Sequence, residues 1–201
     1  MRAVIVEVKG GKGSGHFGHS GRPGKVGGSS PGTGGASATP RNSTEQGLSE
    51  IVTAYAAMHK RGAMTYPGFV VKHGQFFDPP KKGEALPSWC DEGEMKECYY
   101  NSIMSVMGAP DDVYYTEGYA FVEGIEGFPF EHGWLTTADG NVIDPTWEPG
   151  HGTAYYGIRM TNNFVSEQTL KTGMAGVLPN DWMNSHELGR NGFPEGALYE
   201  E

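Results

Sequence analysis

Apolar residues recur at Leu48, Ile51, Val52, Tyr55 and Ala56, the i, i+3, i+4, i+7, i+8 spacing of one helix face. Ser43-x-x-Gln46 in front of this run matches a capping box, and His59-Lys60-Arg61-Gly62 behind it matches a helix stop. A second helical period, Tyr99, Ile103, Val106 and Met107, spans about residues 96–107 and closes at Gly108 and Pro110. A weaker helix falls around 164–171. Strand-like runs cover 113–122, 130–137, 141–147 and 155–160, with Asp139-Gly140 as the turn between the middle pair. Phe69–Lys72 and Gln75–Phe77 flank His73-Gly74 as a short hairpin before the break at Pro79-Pro80. Helix, hairpin, helix and then antiparallel strands predict an α+β domain with its helices on one face of the sheet.

Composition divides the 201 residues into three parts. Residues 1–41 hold six cations against Glu7, a net +5, which leaves −14 of the total −9 for residues 42–201. The stretch from Gly10 to Gly35 is mostly glycine and serine and has few side chains able to offset the entropy of ordering. The expectation is a flexible basic arm over 1–41, an α+β domain over 42–178, and a loosely held acidic tail over 179–201. The arm implies at most weak, salt-dependent contact with nucleic acid.

No window approaches the roughly 20 apolar residues of a membrane span, and the apolar run Ala3–Val6 is too short for a secretory signal. A reducing, intracellular setting is therefore expected, with no membrane partner. Two cysteines cannot build a disulfide scaffold or a four-thiolate metal site, so any cysteine chemistry rests on one thiol. Gly13-x-Gly15-x-x-Gly18 lacks the following helix and the later acid of a dinucleotide fingerprint, and no Gly-Lys-Ser/Thr closes a P-loop. His16 and His19 have no third ligand nearby. No cofactor and no metal is expected.

A nucleophilic thiol is favoured at a helix start, where unpaired N–H groups and the helix dipole stabilise the thiolate and could also hold an oxyanion. Cys98 stands where the second helix begins, whereas Cys90 falls in a loop-like stretch and suits a structural role. The base is sought in the segment from His132 to Asp144, where register decides the geometry. With a two-residue turn at Asp139-Gly140, opposed residue numbers add to 279 and Asp144 faces away from His132. With Ala138-Asp139-Gly140 as the loop and Gly140 left-handed, they add to 278. Asp144 then opposes Trp134, and His132 lies diagonally on the same face, about 7–8 Å away at the backbone. Only the second turn makes a His–Asp pair.

Cys98 opening a helix, then His132-Gly133-Trp134, then Asp144-Pro145-Thr146, resembles the transglutaminase-like branch of the papain-like cysteine fold. The resemblance spans about residues 97–160. It implies Cys98 as nucleophile, His132 as base and acid, Asp144 as the residue that orients the imidazole, and a protein or peptide-like amide as substrate. It also makes Gln75 a candidate oxyanion donor. Glu117, Asn101 and Trp134 are further pocket candidates, and His151 is a rival base. Separately, the text of residues 10–29 resembles a glycine-rich segment of tailed-phage proteins, which implies a phage or prophage source, the host cytoplasm or a virion as the location, and a capsid surface as a further contact for the arm of residues 1–41. The expected function is a thiol-dependent acyl-transfer enzyme, such as an amide hydrolase, deamidase or transglutaminase. The alternative is a non-catalytic virion or accessory binding protein.

Overall fold

Helix α1 (Ser43–Met58) begins one residue earlier in its capping logic than Ser43-x-x-Gln46 suggests. Asn42 Oδ1 accepts the Glu45 N–H at 2.9 Å, which makes Asn42 the cap, and the Glu45 carboxylate reaches back to accept the Arg41 N–H at 2.6 Å, one residue before the cap. The computed structural model describes residues 35–58 and 63–199. The expected stop at 59–62, and both glycine motifs and the histidines of the arm, lie outside the described residues.

After α1 come α2 (Tyr66–His73), β1 (Gln75–Phe77), α3 (Cys98–Val106), β2 (Val113–Val122), β3 (Phe130–Thr137), β4 (Val142–Ile143), β5 (Gly152–Met160), α4 (Asn162–Thr172), a 3-10 turn (Asp181–Asn184) and α5 (Glu187–Asn191). The strands form one antiparallel sheet in the order β1-β5-β2-β3-β4. The fold is α+β. Among the described residues no helix is long and apolar enough to cross a membrane.

Alternation along the strands splits the interior in two. Tyr115, Tyr119, Phe121, Leu135, Ile158 and Met160 face the helices and join Leu48, Val52, Phe69 and Val70 in the larger core. Ala120, Trp134, Tyr155, Phe77 and Val142 form a smaller core on the other face, against Ala36 and Trp147. Both faces are covered, which is why β2 is buried along almost its whole length.

Four expectations need correction. Phe69–Lys72 is not the first arm of a hairpin but part of α2, which Pro67 opens and Gly74 ends. The short run Phe69-Val70-Val71 suits a buried helix as well as a strand. The strand expected over 141–147 forms a ladder only at Val142–Ile143, with a single bridge from Asn141 to Asp78 before it. Beyond it Pro145 has no N–H to donate, and Asp144 Oδ1 takes the N–H groups of Thr146 and Trp147 into a side-chain turn. The arm stops short of residue 41: Ser37 exchanges both backbone hydrogen bonds with Phe76 at 3.0 and 2.7 Å, and Arg41 donates to Glu45, Asp78 and the Gly35 carbonyl. The tail is packed rather than loose. Leu188 and Ala197 enter the main core, and Phe193 meets Phe69 and Phe164 edge-on. The buried Asp181 carboxylate accepts the N–H groups of Leu188 and Gly189 at 2.9 Å each.

Candidate active site

The turn after β3 decides the site. Leu135 opposes Ile143 and Thr136 opposes Val142, the register in which residue numbers add to 278. Gly140 has φ +82°, and a Cβ there would lie 2.2 Å from the Ala36 nitrogen, so both backbone and neighbour demand glycine. One step further along, Asp144 swings to His132. Its Oδ2 meets His132 Nε2 at 2.7 Å, with both side chains almost wholly buried.

Asp144 accepts from four groups. Besides His132 these are the Tyr155 hydroxyl at 2.9 Å and the N–H groups of Thr146 at 2.9 Å and Trp147 at 3.1 Å. Burial alone would raise its pKa. The His132 charge and hydrogen bond and the two backbone donors outweigh burial and hold the carboxyl below its ordinary value. For His132 burial favours the neutral ring. The Asp144 charge and hydrogen bond overcome this, Cys98 adds to them, and the imidazole is pushed up to about 9. The Trp147 indole lies flat on the ring, 3.7 Å between centroids and 6° between planes, and Trp134 packs beyond at 5.9 Å. This stack fixes the plane in which the imidazole points. With Nε2 held by Asp144, Nδ1 is the nitrogen left for a second partner.

Cys98 is the first residue of α3. The preceding turn is set by Lys96 in the left-handed region (φ 73°), and no side chain caps the helix start. The N–H groups of the first turn therefore remain for a ligand. Two ties bring this end of the helix to the Asp144 segment: Gly93 N–H donates to the Pro145 carbonyl at 2.7 Å, and Asn101 Nδ2 donates to the Glu94 carbonyl and to Thr146 Oγ1 at 2.8 and 2.9 Å. Close approach of α3 to β3 requires Gly133, where a Cβ would stand 2.9 Å from the Tyr99 ring. Ser102 Oγ donates to the Gly133 carbonyl at 2.9 Å across the same contact. Cys98 and His132 open together on a cleft of about 490 Å³, with Met95, Lys96 and Tyr99 on one bank and Val122, Ile125 and Phe130 on the other.

The remaining candidates fall elsewhere. Asn101 is buried and is a clamp, absent from the cleft wall. Trp134 is fully buried in the smaller core beneath His132 rather than in the pocket. Gln75 pairs with Gly157, which pairs with Gly118, which pairs with His132. Three strand spacings, about 14 Å, separate it from the imidazole, and it is no oxyanion donor. Glu117 lies on the helix face, opposite His132. Its carboxylate accepts the Tyr115 hydroxyl and the N–H groups of Val177 and Leu178, holding the loop before the 3-10 turn. Burial pushes it up to about 7 against those three donors. His151 lines the far end of the cleft, exposed and edge-on to Trp147, with no carboxylate partner among the described residues. Cys90 is buried, and burial raises its thiol pKa.

Trp147, Tyr155 and Thr146 were missed as site residues. For Thr146 and Trp147 the signal was present: an Asp turned on its own backbone binds the N–H groups two and three residues on. Tyr155 depends on strand order, for which no local signal exists. Among the described residues no group of three or more His, Cys, Asp and Glu side chains is placed to hold a metal ion. Comparison with protein-family models, with curated proteins and with solved structures finds no match to this chain.

Proposed function

We propose that this chain is a thiol-dependent acyl-transfer enzyme of the transglutaminase-like, papain-like kind, with Cys98 as nucleophile, His132 as its proton partner and Asp144 as the orienting acid. One observation carries the reading: a buried His132–Asp144 pair whose free ring edge shares a cleft with a cysteine at an uncapped helix start. A structural histidine needs neither an adjacent thiol nor an open cavity.

His132, raised by Asp144, takes the proton of the Cys98 thiol and holds it as an imidazolium. The Cys98 sulfur adds to the amide carbonyl, forming the S–C bond and moving the C=O electron pair to an oxyanion beside the N–H groups of the first α3 turn. Collapse breaks the C–N bond, and the departing nitrogen takes the proton from His132. Water or an amine then gives a proton to His132 as it bonds to the acyl carbon, and the C–S bond breaks to return the thiolate. Asp144 keeps its charge throughout and holds the ring in line. Amide hydrolase, deamidase and transglutaminase activities differ only in the acceptor.

The test is trapping of the intermediate. Incubation with an activated acyl ester is expected to add one acyl mass at Cys98, removable by hydroxylamine, and to fail in Cys98→Ser and His132→Ala. Acylation that maps to other residues, or persists in His132→Ala at the parent rate, contradicts the proposal.

A further inference from the structure

The cleft over Cys98 continues past His132. A second cavity of about 410 Å³ shares Met95, Thr146, Trp147 and His151 with it, so the two run together as one groove. Its two ends differ in chemistry. At one end stand Val122, Ile125 and Phe130, the last two with 48% and 41% of their surface open to solvent. At the other stand Glu92 and Glu148, both exposed. Among the described residues no cation lies within ion-pairing distance of either carboxylate. Apolar side chains grouped at the rim of a cavity mark a surface that a ligand covers. Carboxylates without cations at the edge of a groove attract a cation from the ligand.

We propose that the groove binds an extended peptide carrying a large apolar side chain on the Ile125–Phe130 side of the reacting amide and a lysine or arginine on the Glu92–Glu148 side. This rests on the reading of Cys98 as nucleophile and adds the substrate class to it. Trp147, the wall common to both ends, gives apolar surface to the aliphatic stem of the basic side chain, and the two carboxylates take its charged head. An acidic residue at the same place meets two like charges.

Three alkylating probes of similar size separate the possibilities: the N-iodoacetyl amides of lysine, norleucine and glutamate. Their rates at Cys98 are read by peptide mass mapping of the full chain. At about 0.01 M salt the lysine probe is expected to outpace the norleucine probe by about ten-fold, and the glutamate probe to be the slowest. The lysine-to-norleucine ratio is expected to fall toward one in Glu92→Gln/Glu148→Gln and at about 1 M salt. Equal rates for the three probes, or a ratio that survives the double substitution, overturns the proposal and leaves the thiol reading intact. If the norleucine probe reacts with Cys98 equally fast in the parent chain and in His132→Ala, the thiol reading fails, and the substrate class falls with it.

Discussion

Asp144 and Glu117 are carboxylates buried on opposite faces of one sheet, and they ionise in opposite senses. Burial raises the pKa of both. Asp144 meets an imidazole that can carry positive charge and is held below its ordinary value, whereas Glu117 meets a phenol and two N–H groups, with the like charge of Glu131 nearby, and rises to about 7. Three neutral donors do not replace the solvation lost by a buried carboxylate, but one opposite charge at 2.7 Å with two backbone donors does. The face that keeps a charged pair together also carries the open cleft, and the other face uses its acid to pin a loop.

The largest effect expected from breaking this contrast is at Asp144. Asp144→Ala leaves His132 buried without its counter-charge, and urea unfolding near neutral pH is expected to show a loss of about 3–5 kcal/mol. A loss below about 1 kcal/mol would mean that the pair is not held as a charged unit.

The pH dependence separates the two faces. Glu117 has a folded-state value above its unfolded one, so the folded chain binds more protons and stability declines as pH rises from 4.5 through about 7. That decline is on the order of 3 kcal/mol. Glu117→Gln is expected to flatten it, whatever it loses because an amide NH2 cannot accept the Leu178 N–H. His132 is also raised, so its stabilisation is complete below 6.5 and is lost as pH rises through about 9. His132→Gln is expected to remove that upper limb and also to shrink the Asp144 limb at low pH, because the imidazolium charge and hydrogen bond are the largest causes that hold Asp144 down. Asp144, being lowered, contributes stability above 3.8 that disappears as pH falls through its folded-state value. Unfolding curves from pH 3 to 10 on the parent and the two variants check all three windows.

Smaller effects sharpen the geometry. Gly133→Ala forces a Cβ toward the Tyr99 ring and is expected to cost about 1–3 kcal/mol while slowing Cys98 alkylation, because α3 must move away from β3. Asn101→Ala removes a buried hydrogen bond from α3 to Thr146 in the Asp144 segment and a part-buried one to the Glu94 carbonyl, with an expected loss of about 1–2 kcal/mol in urea unfolding. An unchanged alkylation rate in both variants would show that the α3 position does not control the thiol.

The site was legible where its chemistry is local. Asp139-Gly140 announces a turn with two possible registers, 279 and 278; only the second lets Asp144 meet His132, and that is the register observed. The helix start at Cys98 follows from the period of Tyr99, Ile103 and Val106. What depends on strand order was not legible. Gln75 has the right residue type but stands three strands away, because β5 inserts between β1 and β2. Glu117 was placed on the correct face, with Tyr115, Tyr119 and Phe121. The pairing of Gly118 with His132 makes that face the wrong one for the site. The tail misled for a related reason. Its polar composition hides Leu188, Phe193 and Ala197, whose partners lie far back in the chain, and Asp181 orders it through N–H groups that no local pattern reveals.

The most direct test is the rate of iodoacetamide alkylation at Cys98 as a function of pH, with Cys90 as the internal control, in the parent chain, His132→Ala and Asp144→Asn. The account predicts rapid labelling of Cys98 in the parent at pH 6, a loss of at least about ten-fold there in both variants, and no change at Cys90. Equal rates at Cys98 in all three chains across the pH range would contradict it, leaving the His132–Asp144 pair as a structural feature beside an unactivated thiol.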